Sequence, residues 1–141
     1  MDKIGERRLV LNGMAHLKLD ELVVYRRSEE LADHCWNLVW AWDSFARETV
    51  GRQLIRAADS IGANIAEGFG RASTADNQRF VRIARGSLYE VRHFLRRADA
   101  RGLVGEREKK RLREITCELP RLLNGYLRSL KCASVVAEQG P

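Results

Sequence analysis

Proline is scarce, with two residues in the chain, so helices meet few obligatory breaks. Cys35, Cys117 and Cys132 are odd in number, widely spaced and without a CxxC pair. That excludes an encoded disulfide framework or zinc knuckle and points to reduced thiols. No run of about 18 apolar residues occurs, so no helical membrane span is expected. The opening residues MDKIGERRLVLNGMAH lack the long apolar stretch of a secretory signal. The expectation is a cytoplasmic protein without a membrane partner. Strand-like alternation is also missing, which leaves helix as the dominant structure.

Hydrophobic residues make up 45% of the composition and charged residues 31%, the balance of a folded helical protein rather than a disordered one. Lys plus Arg outnumber Asp plus Glu by 25 to 19, a formal charge of +6 that favours polyanionic partners. Most of the cations are arginines, which grip phosphate bidentately where lysine acts as a point charge.

Apolar residues at Leu22, Tyr25, Leu31, Ala32, Cys35, Leu38, Val39 and Trp42 carry the spacing of a first amphipathic helix. A second spans about Glu48 to Glu67, with Leu54, Ala58, Ile61 and Ile65 on one face, and Gly68-Phe69-Gly70 is its stop signal. Ser73 and Asp76 have the shape of a capping box opening a third helix to about Arg101. Its inward residues are expected to be Phe80, Ile83, Ala84, Leu88, Val91, Phe94 and Leu95. After a turn at Gly102 to Gly105, Leu112, Ile115, Leu119, Leu122, Leu123, Tyr126, Leu127 and Leu130 mark a fourth helix, kinked at Pro120. Four amphipathic stripes on short connections predict an all-α, antiparallel up-down four-helix bundle. Residues 1–18 are expected as a poorly ordered extension, in which Met14 offers an alternative start. Residues 19–131 form the bundle and 132–141 a flexible tail.

Between Gln53 and Glu90 the chain reads QLIRAADSIGANIAEGFGRASTADNQRFVRIARGSLYE. Through Arg56-Ala57, Ser60-Ile61, Asn64-Ile65-Ala66-Glu67-Gly68, Arg71, Ser73, Ala84, Gly86-Ser87 and Glu90, this resembles the bacterial four-helix bundle family named after the 23S rRNA intervening-sequence protein. The similarity extends more weakly from Leu19 through the fourth helix. Two departures concern prolines that many relatives carry, one where this chain has Gly62 and one in the first loop, here Asp43-Ser44-Phe45-Ala46-Arg47. The resemblance implies a homopentamer without an established catalytic activity or cofactor. It also implies a looser kinship with the Avd-like accessory proteins of diversity-generating retroelements, basic pentamers that bind nucleic acid and a reverse transcriptase.

At about 100° per residue, Gln53, Arg56, Ser60, Asn64 and Glu67 share one stripe of the second helix, off its core face. The stripe is either solvated or a hydrogen-bonded seam against another helix or subunit. Small residues at Ala58, Gly62 and Ala66 favour close helix approach, because a mid-helix glycine otherwise costs about 1 kcal/mol. Gly86 makes the same suggestion on the third helix. Arg56 and Glu90, each beside its core stripe, are expected to pair across helices or subunits.

Arg82, Arg85, Arg92 and Arg96 fall within roughly 80° on the third helix, together with Tyr89. They are expected to lie opposite the core, where arginines neutralise phosphates and a tyrosine offers a stacking surface for RNA or DNA. Lys109, Lys110, Arg111 and Arg113 could widen the patch. Trp36 and Trp42 lie near the core stripe and Trp40 is expected to be exposed.

Three other readings compete. Glu90-Val91-Arg92-His93 has the Glu-x-x-His spacing of di-iron bundles, but only one copy is present and His93 projects outward, so no metal is expected. Arg27 and His34, with six residues between them, match the loose motif of helical metal-independent ribonucleases of the HEPN type, with His34 as acid or base and Arg27 stabilising the phosphorane. A protein adaptor without nucleic-acid binding is the third. The favoured expectation is a non-enzymatic oligomer that binds RNA or DNA, with a reverse transcriptase as a further protein partner.

Overall fold

A computed structural model describes residues 17–138. Among them are four long helices and no strands: α1 (Val23–Trp40), α2 (Arg52–Phe69), α3 (Thr74–Ala100) and α4 (Glu106–Glu138). A one-turn 3-10 helix, Leu19–Glu21, precedes α1. α1 packs along α2 and α4, α3 packs along α2 and α4, and the four helices thereby close around one core. Leu31, Cys35, Leu54, Ile61, Ile65, Val81, Leu88, Val91, Ile115, Leu119 and Leu123 are fully buried there. No helix among the described residues is long and apolar enough to cross a membrane.

Helix resumes at Ser44, ahead of the start near Glu48 that the sequence suggests. Asp43 accepts a hydrogen bond from the Ala46 amide at 3.0 Å and caps a short turn, Ser44–Ala46. A π-helical stretch, Arg47–Gly51, then leads without a break into α2. The spacing of buried residues supplies the reason. Ala46, Val50, Leu54 and Ala58 are all buried and fall every fourth residue. An α-helix of 3.6 residues per turn would carry such a series steadily off the core. The wider i→i+5 turn holds it in place.

The small stripe of α2 does what the sequence implies within the chain itself. A Cβ at Gly62 would stand 3.1 Å from the Ser28 hydroxyl of α1, so the missing side chain permits the approach. Gly68 plays the same part against α3, and α2 runs on to Phe69 rather than stopping at Glu67. Ser73 caps α3 by accepting from the Asp76 amide at 3.3 Å. At its far end Gly102 adopts φ 71°, while the Gly102 amide donates to Asp99 and the Leu103 amide to Ala98, the Schellman arrangement that ends a helix.

Three expectations need correction. Ile83 is exposed rather than inward, because the core line of α3 runs through Val81, Ala84, Leu88 and Val91, to one side of it. Phe80, Phe94 and Leu95 are half-buried. α4 passes through Pro120 and continues beyond Lys131 to Glu138, where a tail was expected. Extending an existing helix needs no new nucleus, so it outlasts the apolar stripe that ends at Leu130. The expectations for residues 1–16 and 139–141 lie outside the described residues.

Candidate nucleic-acid interface

α3 brings Arg82, Arg85, Tyr89, Arg92 and Arg96 onto one long stripe, as their spacing requires. The stripe does not lie opposite the core. It flanks α4: Arg85 donates to the Asn124 amide oxygen at 3.2 Å, and Arg92 and Arg96 line a groove of about 340 Å³ between the two helices. The Arg92 guanidinium stands 5.6 Å from the ring centre of Tyr89, which is itself exposed. Arg82, Arg92 and Arg96 form no ion pair among the described residues, so their charges face solvent.

The first turns of α4 sort the remaining cations. Arg113 lines the same groove and is unpaired among the described residues. Lys109 is held by Asp99 at 2.9 Å, which raises its pKa through the hydrogen bond and the opposite charge. Arg111 turns away to Glu30 and Glu114. Arg113 therefore widens the basic face, Lys109 balances its one carboxylate, and Arg111 belongs to another cluster. Spacing within α3 could not reveal this groove, because half of it comes from a helix that starts beyond a turn.

The other cluster ties α1 to α4. Arg27 donates to Glu118 at 2.7 Å and to Glu30, which also receives Arg111. Burial works against ionising Glu30, but the hydrogen bond and charge of Arg27, joined by Arg111, overcome it and hold its carboxyl below the usual range. His34 stands 3.8 Å from Glu30. Arg27 and His34 thus converge on one carboxylate, with the guanidinium already committed to two acids.

The expected seam divides. Ser60 and Ser87 share a hydrogen bond between α2 and α3, and Asn64 donates to the Ser60 carbonyl at 2.7 Å. Glu67 pairs with Arg71 at 2.6 Å. Gln53, Arg56 and Glu90 are exposed, and Arg56 and Glu90 form no ion pair within the chain among the described residues. Gly86 meets nothing within 4 Å, so the close packing expected there is absent from the single chain, because Gly86 lies on the outward face of α3. Trp42 is buried as expected and donates to the Leu103 carbonyl at 2.8 Å. Trp36 is not: it is 54% exposed and stacks on exposed Trp40, with ring centres 6.4 Å apart, because its position on α1 falls beside the core line rather than on it. The Arg47 guanidinium lies over Trp40 and completes an aromatic patch that sequence reasoning missed; Phe45 is exposed as well. His93 is exposed on α3, and among the described residues no three His, Cys, Asp or Glu side chains gather as a metal-ligand set.

Four helices around one core, with a basic face across α3 and α4, define a helical protein of a recognisable class. Residues 20–125 match the family model described as 23S rRNA-intervening sequence protein, and the chain belongs to that family. Its fold is similar to the crystal structure of a protein of unknown function from the S23 ribosomal protein family of Bacteroides thetaiotaomicron VPI-5482. The TM-score is 0.65 and the identity 25%, over 74% of this chain and 97% of that one. No curated protein matches the chain.

Proposed function

We propose that the protein is a non-enzymatic, oligomeric nucleic-acid-binding accessory protein that holds RNA or DNA on the α3–α4 face. One observation carries the reading: Arg92 and Arg96 of α3 and Arg113 of α4 line one groove, and none of the three is neutralised by a carboxylate among the described residues. Guanidinium groups left facing solvent together attract a polyanion by charge and release its counterions. The family name supplies a link to ribosomal RNA genes, and the resemblance to retroelement accessory proteins supplies a reverse transcriptase as partner.

The assembled form in this reading is an antiparallel up-down bundle repeated as a homopentamer. The contacts of Gly68 with Asn77 and of Ser60 with Ser87 support the antiparallel register of α2 and α3. The exposed face bearing Gln53, Arg56, Ile83, Gly86 and Glu90 suits the subunit seam. Repetition of the groove around a ring would multiply its avidity.

The test is binding of labelled RNA and DNA across a salt series. Affinity should fall steeply with salt, and Arg92→Glu with Arg96→Glu should reduce it more than about tenfold. Binding indifferent to both overturns the reading. Native mass measurement checks the subunit number. A second reading, a protein adaptor, draws on the exposed Trp36, Trp40 and Phe45, residue types that dominate protein interfaces. Trp36→Ser with Trp40→Ser should leave nucleic-acid binding intact and remove a protein partner recovered with the wild type.

A further inference from the structure

The groove between α3 and α4 is more than a row of charges, and its shape bears on what kind of polymer it holds. Its rim is cationic, with Arg92, Arg96, Arg113 and Lys109, while Leu95, Val104 and Leu112 give it an apolar floor. Asp99 is its one carboxylate, and Lys109 holds it at 2.9 Å. A volume of about 340 Å³ lies at the low end for small-molecule pockets, which start near about 300 Å³. It has room for a flat ring system. Beside it, exposed Tyr89 lies under the Arg92 guanidinium and presents an aromatic face along the same stripe.

A surface that only counted phosphates would need the rim and not the floor. A duplex keeps its bases stacked and would meet the arginines alone, whereas an unpaired strand can turn a base out and bury it. We propose that the α3–α4 groove takes an unpaired nucleotide, its base against Leu95, Val104 and Leu112 and its flanking phosphates at Arg92, Arg96 and Arg113. A neighbouring base stacks on Tyr89. This rests on the reading of the basic face given above and adds the substrate class: single-stranded nucleic acid, of either sugar, in preference to duplex.

The experiment uses the full chain and fluorescence anisotropy at one salt concentration. The probes are labelled oligo(U) and oligo(dT), a duplex of the same length, and an abasic strand with the same phosphates. Tight binding of either oligo(U) or oligo(dT) supports the proposal, and the better of the two identifies the sugar. The unpaired strand should bind about tenfold or more tightly than both the duplex and the abasic strand. Cys117→Trp fills the groove from an exposed position and keeps every charge, so it should bring the unpaired strand down to the duplex level and leave duplex binding unchanged. Equal affinity for strand, duplex and abasic strand overturns base insertion while leaving the basic face in place. Failure to bind any of them overturns both.

Discussion

Gly68 on α2 lies so close to Asn77 on α3 that a Cβ at position 68 would stand 2.7 Å from the Asn77 amide oxygen and 2.9 Å from Cβ of Phe80. Neither neighbour is the free end of a long side chain. Asn77 is buried and its amide nitrogen donates to the Tyr126 hydroxyl at 3.2 Å, so it also joins α3 to α4. Gly68→Ala is expected to cost about 1–3 kcal/mol as the corner is forced apart. Denaturant unfolding of the variant beside the wild type measures it.

Gly86 is the opposite case. Mid-helix, exposed and meeting nothing within 4 Å, it gives α3 no close approach within the chain. Gly86→Ala should raise the stability of the dilute protein by about 0.5–1 kcal/mol, since alanine is the better helix former. A variant that unfolds earlier than the wild type at low protein concentration would show that something other than propensity governs this position.

The Glu30 cluster makes stability depend on acid. Because the folded pKa of Glu30 is lowered, its contribution is present above the unfolded value of about 4.3 and is lost as pH falls through the folded one. Glu30→Gln is expected to cost about 1–2 kcal/mol near neutrality, as Arg27 and Arg111 lose their shared negative charge. The gap between variant and wild type should shrink as pH falls below about 4. Urea midpoints at neutral and acid pH check both statements.

Thiol chemistry separates the three cysteines. Cys35 is buried, and burial, assisted by the charge of Asp59, pushes its thiol up to about 12, whereas Cys117 and Cys132 are exposed. At pH 8 a colorimetric disulfide reagent should titrate Cys117 and Cys132 in the native protein, and Cys35 only after denaturation, because the thiolate is the reacting species. Cys117→Ser with Cys132→Ser should leave a native protein that does not react.

Trp42 anchors the end of α1 to the turn after α3 through its bond to Leu103. Trp42→Phe keeps most of the apolar volume and removes the donor, so a loss of about 1–2 kcal/mol is expected. Thermal unfolding of the two proteins provides the comparison. The emission of the variant should also move to the red, as the remaining Trp36 and Trp40 are the exposed indoles.

The four helices were legible because their buried residues recur at helical spacing, and Ser73, Gly102 and Gly62 each act where their chemistry implies. Apolar character does not by itself set inward direction. Ile83 and Trp36 are hydrophobic, yet each sits beside its helix's core line, and only the packing of α2 and α4 fixes where that line runs. The arginines share one stripe because one helix carries all of them. Its relation to α4 was not visible, since Arg85 reaching Asn124, and Arg113 lining one groove with Arg92, bring together different helices. Helix from about Glu48 was legible from the same spacing, but its π winding over Arg47–Gly51 was not, because an i, i+4 series reads as ordinary helix.

That stretch, Arg47–Gly51, takes up chain length without changing orientation. Deleting a single residue there would open no gap: an i→i+5 turn takes up one residue more than an i→i+4 turn, so the backbone would tighten into regular helix and keep its direction. Asp43 and Ala46 would keep their stations, as α2 would. The chain can thus gain or lose one amino acid here as a change of winding, with the price confined to one corner and the basic groove on the far helices untouched.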